Sequence, residues 1–368
     1  MRRPLASITV LAVALAVPLG AGAADRSTLQ PAPSSPPRPA LEHVAPQIKV
    51  PGVPSVEQFG RPPQALRVSP RARLLVFAPH PDDETLGAGG LIQRVIETDG
   101  IVKVVFVTNG DGYRTGVIAQ TNRPNVSRND FLAYGEHRHR EALQALSALA
   151  SHRLSSAFLG FPDDGIDDLW SDNWSEARPY RSPFTDSDRP PYDGALQPSV
   201  EYAGVDLRRE IRDLLQQFAP DWVVIPDPRD RHPDHCSTGG FVLDALRELR
   251  EAQIAPFSRT EVLTYLVHYP EYPGNPMWLA QINHAGIGGS TAAQENLSRT
   301  TWFRLELTPN ELAHKHTALS RYRSQMRVMD RFLALFIRSD EIFGHLSGDQ
   351  ISTIPRDYAT RWRAHRQP

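Results

Sequence analysis

The chain has 368 residues, with 40 lysines and arginines against 42 aspartates and glutamates. This charge balance gives no electrostatic footprint for nucleic acid or an anionic membrane, so neither is expected as a partner. With 40% hydrophobic and 22% charged residues, the composition is that of a globular protein with a sizeable core, in one large domain or two smaller ones.

The amino terminus has the pattern of a secretory signal. Arg2 and Arg3 precede an apolar segment over residues 5–19, and Ala21-Gly22-Ala23 fits a cleavage site of small residues. The segment is shorter than the roughly 20 residues that a bilayer span needs, and an uncleaved anchor is the alternative. We therefore predict a cleaved signal at residues 1–23, no transmembrane span after its removal, and a periplasmic or secreted protein.

Residues 24–65 contain many prolines and serines and predict a disordered tether. A single folded domain is expected over residues 66–368. The only cysteine, Cys236, excludes an intramolecular disulfide. It follows His235 directly, but a small buried apolar residue is a better explanation for it than a metal ligand.

Strands and helices alternate through the expected domain. Apolar runs predict strands at residues 74–78, 102–108, 157–161, 222–226 and 261–268. Helical spacing predicts helices at residues 84–97, 134–150, 205–218 and 237–252. The alternation indicates an α/β, Rossmann-like fold, with a mostly parallel sheet covered by helices on both faces.

Two long insertions interrupt this alternation, near residues 167–198 and 270–299. Long loops at strand ends are often lids or substrate walls. Both insertions carry aromatic residues: Trp170, Trp174, Tyr180, Phe184 and Tyr192 in the first, and Tyr272 and Trp278 in the second. Such rings either stack on sugars or pin the loops to the body of the protein.

Two polar clusters follow predicted strands. The run Pro79-His80-Pro81-Asp82-Asp83-Glu84 comes directly after strand 74–78, and Asp230-Arg231-His232-Pro233-Asp234-His235 comes after strand 222–226. Because ligands in open parallel sheets bind beyond the carboxyl ends of the strands, we expect the two clusters to form one site.

The clusters contain a set of metal ligands. His80 and Asp83 are three residues apart where the chain turns into a helix, and His235 completes a set of two imidazoles and one carboxylate. Three protein ligands with one open position is the catalytic pattern for zinc, and the same ligands suit Fe2+ or Mn2+. We predict a Zn2+ site at His80, Asp83 and His235, with Fe2+ or Mn2+ as alternatives.

The clusters also contain a base and an acid. Water on a metal still needs a base to accept its proton, and Asp82 adjoins a ligand without having to be one. His232, when protonated, would stabilise an oxyanion and then protonate a leaving amine. Asp234 suits an outer position that holds a histidine in one tautomer. Asp82 or Asp83 alone could instead cap the helix, but capping does not account for the histidines.

The clusters resemble those of the PIG-L/LmbE-like deacetylases. Three shorter stretches extend the resemblance over about residues 72–330: Arg138-His139-Arg140-Glu141-Ala142, Leu159-Gly160-Phe161-Pro162-Asp163, and Lys315-His316-Thr317-Ala318-Leu319 with Tyr322-Arg323-Ser324-Gln325. The resemblance implies an LmbE-like three-layer fold. It also implies a zinc-dependent N-deacetylase, an amidohydrolase that acts on linear amides of N-acetylglucosamine units.

Residue roles follow from the resemblance as well. It implies a general base at Asp82, an acid or oxyanion partner at His232, and metal ligands at His80, Asp83 and His235. It further implies that Arg138 binds substrate or forms a structural pair with Glu141.

The predicted function is therefore an exported metal-dependent hydrolase that uses metal-activated water to remove an N-acetyl group from an N-acetylglucosamine-type sugar or glycoconjugate. One alternative is hydrolysis of another N-acyl amide, such as an acylated antibiotic or peptide. The other is a non-catalytic carbohydrate-binding module on a hydrolase scaffold. The intact set of ligands, base and acid argues against this last alternative.

Overall fold

The computed structural model describes residues 62–269, residue 272 and residues 300–353. The strands in these ranges are β1 (Gln64–Ala65), β2 (Arg73–Ala78), β3 (Ile101–Thr108), β4 (Leu154–Phe161), β5 (Trp222–Pro226), β6 (Glu261–Tyr265), β7 (Thr301–Glu306) and β8 (Asp340–Leu346). The helices are α1 (Asp83–Glu97), α2 (Arg114–Thr121), α3 (Arg128–Leu149), α4 (Ile166–Ser171), α5 (Gly204–Phe218), α6 (Pro233–Glu251), α7 (Pro309–Leu319) and α8 (Arg323–Ala334).

The strands form one mixed sheet in the order β1-β7-β8-β6-β5-β2-β3-β4. Five of the seven strand pairings in the described ranges are parallel, and β8 runs antiparallel to β6 and β7. The predicted α/β fold with a mostly parallel sheet is confirmed.

Helices cover both faces of this sheet. On β2, Leu74 and Val76 point into one core with residues of α1, α3 and α7, whereas Leu75 and Phe77 point into another with residues of α5 and α6. All four side chains are fully buried. A strand buried on both faces must be apolar at every position, which explains the continuous apolar run before the first polar cluster.

Helix α1 packs closely on its neighbours because of two glycines. A Cβ atom at Gly87 would overlap the ring of Tyr265, and one at Gly90 would overlap the side chain of Leu307. Small residues are therefore required here by packing, which places the helix that follows the first polar cluster firmly against the sheet.

A buried ion pair fixes the same helix. Lys315 Nζ donates to Glu341 Oε1 at 2.6 Å and to the carbonyl oxygen of Leu86 at 3.0 Å. The Glu341 carboxylate in turn accepts the backbone N–H groups of Gly90 and Leu91 at 2.7 and 3.0 Å. Both charged groups are paired and hydrogen-bonded, as buried charges must be.

Several predicted boundaries were wrong, for local reasons. Helix α3 begins at Arg128 instead of residue 134, because the N–H of Ser127 donates to the Asp130 carboxylate at 2.8 Å and starts the helix earlier. Helix α6 begins at Pro233 instead of residue 237, because proline fits the first helical position and His232 caps the end. Strand β6 ends at Tyr265, three residues before the predicted end.

The sheet also extends beyond the predicted elements. Strand β1 pairs with β7 and lies inside the range predicted as tether, so the sheet begins two residues before residue 66. The predicted signal at residues 1–23 and the rest of the tether, up to residue 61, lie outside the described residues. Within the described part of the chain, no helix combines the length and the apolar character needed to cross a membrane.

The first insertion packs against the body of the protein. The ring of Trp174 stacks on Phe241 at 5.9 Å, and Trp170 meets the same ring edge-on at 4.7 Å. Phe184 contacts Phe131 at 5.3 Å. For these rings the pinning alternative is the one that the structure supports. The second insertion lies outside the described residues apart from Tyr272.

Glu210 on α5 is a buried carboxyl group with a displaced pKa. It is 1% exposed, and neither of its oxygens has a hydrogen-bond partner within the described ranges. Burial, with the charge of Asp206 adding to it, raises the pKa of Glu210 to about 8. A glutamate in the unfolded chain has a pKa of about 4.3. Between that pH and about 8, the folded protein therefore keeps a proton on Glu210 that the unfolded chain has lost.

We expect Glu210→Gln to remove one pH dependence of stability. Because the folded-state pKa is raised, the contribution of Glu210 is complete below the unfolded pKa and is lost as the pH rises towards about 8. The variant should match the wild type in free energy of unfolding at about pH 4 and exceed it at about pH 9. Urea denaturation at both pH values measures this, with exposed Glu136→Gln as control. An equal difference at the two pH values contradicts the assignment.

Candidate active site

The candidate site lies at the carboxyl edge of the sheet, where the strand order reverses. From β2 the sheet continues through β3 and β4 on one side and through β5 and β6 on the other. Such a switch point leaves a crevice beyond the strand ends. The segments that follow β2 and β5 border this crevice, and they carry the two polar clusters.

The three predicted metal ligands come together at this crevice. Asp83 Oδ2 lies 3.2 Å from His80 Nδ1 and 3.2 Å from His235 Nε2. Ligand atoms about 2.0–2.2 Å from one tetrahedral metal lie about 3.3 Å from one another, so this spacing fits a shared cation. All three side chains are buried.

His235 supplies an independent reason to place a cation here. Its side chain is 0% exposed, with carboxylate oxygens 3.2 Å from Nε2 and 3.6 Å from Nδ1, but neither contact has hydrogen-bond geometry within the described residues. Buried polar atoms normally have hydrogen-bond partners, and a cation between Nε2 and Asp83 would supply one. Although burial opposes it, the carboxylates of Asp83 and Asp230 raise the pKa of His235 to about 9. The surroundings thus favour positive charge at this point, and the residues fit a divalent metal.

Asp82 is the N-cap residue that precedes α1, but its side chain does not cap the helix. Its carboxylate makes no capping hydrogen bond, so the capping alternative does not explain this residue. Its Oδ2 lies 3.4 Å from the guanidinium of Arg138. Burial, partly offset by Arg138, raises the pKa of Asp82 to about 7. The backbone has a φ of 128°, a region that side-chain-bearing residues rarely adopt and that costs on the order of 1–3 kcal/mol.

His232 caps α6 through its ring. Nδ1 accepts the backbone N–H of Asp234 at 3.2 Å, so the proton of the neutral ring lies on Nε2. The ring centroid is 4.8 Å from that of His80 and 5.0 Å from that of His235. Burial of the ring away from water, together with the positive charges of the neighbouring histidines, lowers the pKa of His232 to about 3. These surroundings favour a neutral donor at Nε2 over the protonated ring that the sequence suggested.

Asp234 lies where an outer residue would orient His80. Its Oδ2 is 3.1 Å from His80 Nε2, and its carboxylate also accepts the backbone N–H groups of Asp164 and Ile166 at 2.7 and 3.0 Å. Asp163 Oδ1 lies 3.0 Å from the same His80 nitrogen. The side of His80 that faces away from Asp83 is therefore held by two carboxylates, which is typical of a metal-binding histidine.

Arg138 is buried behind Asp82, with 3% of its surface exposed. Its guanidinium donates to the carbonyl oxygens of Gly110 and Pro81 at 2.9 and 2.7 Å. The proposed pair with Glu141 was wrong, because that carboxylate accepts the N–H and Oγ–H of Ser324 at 2.9 and 2.5 Å. Arg138 thus contacts Asp82, the predicted base, and its contact with substrate stays a prediction.

Sequence reasoning missed two residues of the site. The Asp230 carboxylate accepts the backbone N–H groups of Val267 and His268 at 2.9 and 3.0 Å. The ring of His268 lies 4.9 Å from that of His235. Both residues could have been predicted from their positions. Asp230 opens the second cluster, and His268 ends the last predicted strand at the same edge of the sheet.

Comparison with known proteins gives a family match over part of the chain. Residues 75–246 match the family described as PIG-L: GlcNAc-PI de-N-acetylase. A 1D-myo-inositol 2-acetamido-2-deoxy-alpha-D-glucopyranoside deacetylase from Mycobacterium sp. (strain KMS) is 30% identical over 168 residues, which cover 45% of this chain and 47% of the relative. The chain thus spans about half the length of this relative.

Two further similarities cover more of the chain. The 1D-myo-inositol 2-acetamido-2-deoxy-alpha-D-glucopyranoside deacetylase 2 of Catenulispora acidiphila is 26% identical over 294 residues, or 76% of this chain and 87% of that protein. The solved structure of N,N'-diacetylchitobiose deacetylase from Pyrococcus horikoshii is 19% identical, with a TM-score of 0.45, and covers 76% of this chain and 85% of that one.

We expect the purified protein to bind one divalent metal ion, and His80→Ala, Asp83→Ala and His235→Ala each to lose it. Each variant removes one of three ligands and leaves buried polar groups without a partner. Elemental analysis and calorimetric titration with Zn2+ measure the stoichiometry. The exposed His316→Ala on α7 is the matched control and should bind metal as the wild type does. Unchanged stoichiometry in the three ligand variants contradicts the site.

Proposed function

We propose that the protein, whose residues 75–246 match the PIG-L: GlcNAc-PI de-N-acetylase family, is a metal-dependent hydrolase that removes the N-acetyl group from an N-acetylglucosamine-type sugar. One observation carries the proposal. A buried base, Asp82, adjoins a group of ligands at the edge of the sheet, and His232 presents a donor to the same crevice. Hydrolysis of an amide needs these three functions together.

His80, Asp83 and His235 would hold the metal. A bound metal would act as a Lewis acid that lowers the pKa of a water and polarises a carbonyl group. Zn2+ suits two imidazoles and one carboxylate best, and Fe2+ or Mn2+ would also suit them. Asp234 and Asp163 keep the His80 ring oriented from its other side.

Asp82 takes the proton from the attacking water. The oxygen of that water then bonds to the amide carbonyl carbon, and His232 donates a hydrogen bond from Nε2 to the negative oxygen that develops. Asp82 then passes the proton it took from the water to the amide nitrogen as the C–N bond breaks, which releases acetate and a free amine. Arg138 keeps Asp82 in place during these steps through its contact with Oδ2.

The substrate class is proposed from the relatives. The mycobacterial relative is named for a 2-acetamido-2-deoxy-glucopyranoside linked to inositol, which makes an N-acetylated amino-sugar the first class to test. The arginine pair and apolar segment at the amino terminus support action outside the cytoplasm, on a sugar of the cell envelope or the medium.

We expect acetate release from at least one of N-acetylglucosaminyl-inositol, N-acetylglucosamine and N,N'-diacetylchitobiose. Asp82→Asn should lower kcat by about 100- to 10,000-fold, because the base is lost while the ligands remain. Metal analysis of the same preparation should show unchanged binding.

The alternatives give different results in the same assay. Release of a longer acyl group in preference to acetate favours another N-acyl amide as the substrate. Sugar binding without turnover in the metal-loaded protein favours a binding module. Wild-type activity in both Asp82→Ala and His235→Ala would rule out the proposed hydrolase.

A further inference from the structure

Two side chains hold the peptide group between Pro81 and Asp82. Its carbonyl oxygen accepts a hydrogen bond from Arg138 at 2.7 Å, and its N–H donates to Glu84 Oε2 at 3.2 Å. The orientation of this peptide sets the φ of Asp82, which is 128°. Since residues other than glycine rarely adopt this conformation, it persists where the surroundings impose it.

Glu84 is the part of this arrangement that the proposed chemistry does not use. Its side chain is 0% exposed. It belongs to neither of the two groups within the described residues that could hold a metal ion, His80 with Asp83 and His235, and His80 with His232 and Asp234. One carboxylate oxygen accepts the N–H of Asp82, and the other accepts the hydroxyl groups of Thr85 and Tyr322. Glu84 therefore links the base to the side chain of a residue far along the chain.

Tyr322 is the distant member of this link. It lies at the start of α8, is fully buried, and donates its phenol hydrogen to Glu84 Oε1 at 2.5 Å. Its position is fixed on both sides, because Lys315 on α7 binds the carbonyl oxygen of Leu86 and Ser324 on α8 binds Glu141. The phenol therefore approaches α1 from a rigid support.

We propose that Glu84 and Tyr322 are positioning residues for Asp82. Tyr322 orients the Glu84 carboxylate, and Glu84 holds the N–H of Asp82, so that the base keeps the strained backbone that directs its carboxylate to Arg138 and the crevice. The proposal deepens the hydrolase function and rests on it. It also assigns a role in the site to a residue that lies beyond the segment that matches the family.

Kinetics test this role through Asp82. We expect Tyr322→Phe and Glu84→Ala to lower kcat by about 10- to 100-fold, with KM and metal stoichiometry unchanged, because the base is displaced while the ligands remain. Glu84→Gln should recover most of the activity lost in Glu84→Ala, since its amide oxygen still accepts the N–H of Asp82. Tyr202→Phe, which removes another buried tyrosine hydroxyl on the other face of the sheet, should keep wild-type kcat.

A double-mutant cycle separates positioning from general loss of structure. If Tyr322 acts through the base, Tyr322→Phe should have no further effect on the residual activity of Asp82→Asn. An equal loss of kcat in both backgrounds overturns the proposal, as does wild-type kcat in Tyr322→Phe and Glu84→Ala.

Crystal structures provide a test that does not depend on turnover. In Glu84→Ala, Asp82 should leave the positive φ region while His80, Asp83 and His235 stay in place. A φ that remains near 128° overturns the proposal, even if the variant is inactive. If the wild type releases no acyl group from any sugar, the hydrolase function fails, and this structural result still decides whether Glu84 positions Asp82.

Discussion

The peptide between Pro81 and Asp82 is the constraint on which the rest of the site depends. Arg138 and Glu84 hold its two ends, and Asp82 consequently adopts a φ of 128°. This turn separates the tasks of two adjacent acids, because Asp83 faces the imidazoles whereas Asp82 faces Arg138.

Carboxylates surround the buried histidines, and their charge requires compensation. Asp83 bridges His80 and His235, and Asp163 and Asp234 approach His80 from its other side. Backbone N–H groups also donate hydrogen bonds to these carboxylates, as those of Asp164 and Ile166 do to Asp234. Burial alone would raise the pKa of Asp83, but His235 and His80 hold it well below its usual range. A negative, largely dehydrated position of this kind is well suited to a divalent cation.

The carboxy-terminal helices support a candidate site that lies in the segment that matches the family. Residues 75–246 contain the predicted ligands, the predicted base and His232, and Lys315 and Tyr322 bind α1 from elements that follow that segment. Helix α1, which begins at Asp83, thus connects the candidate site to these distant elements of the fold. Because sheets of this kind support many different chemistries, the function has to be argued from the residues of the site and not from the fold.

The sequence by itself determined the α/β class, the mostly parallel sheet and the two polar clusters that meet at one edge, because apolar runs and polar strand ends are local patterns. Only the tertiary structure decided the antiparallel direction of β8, the link from Tyr322 through Glu84 to Asp82, and the contact of Asp163 with His80. These depend on contacts between residues up to 238 positions apart, which no local pattern records. The partner of a buried polar group is set by where the packed elements place it, and the sequence specifies only that a partner is needed.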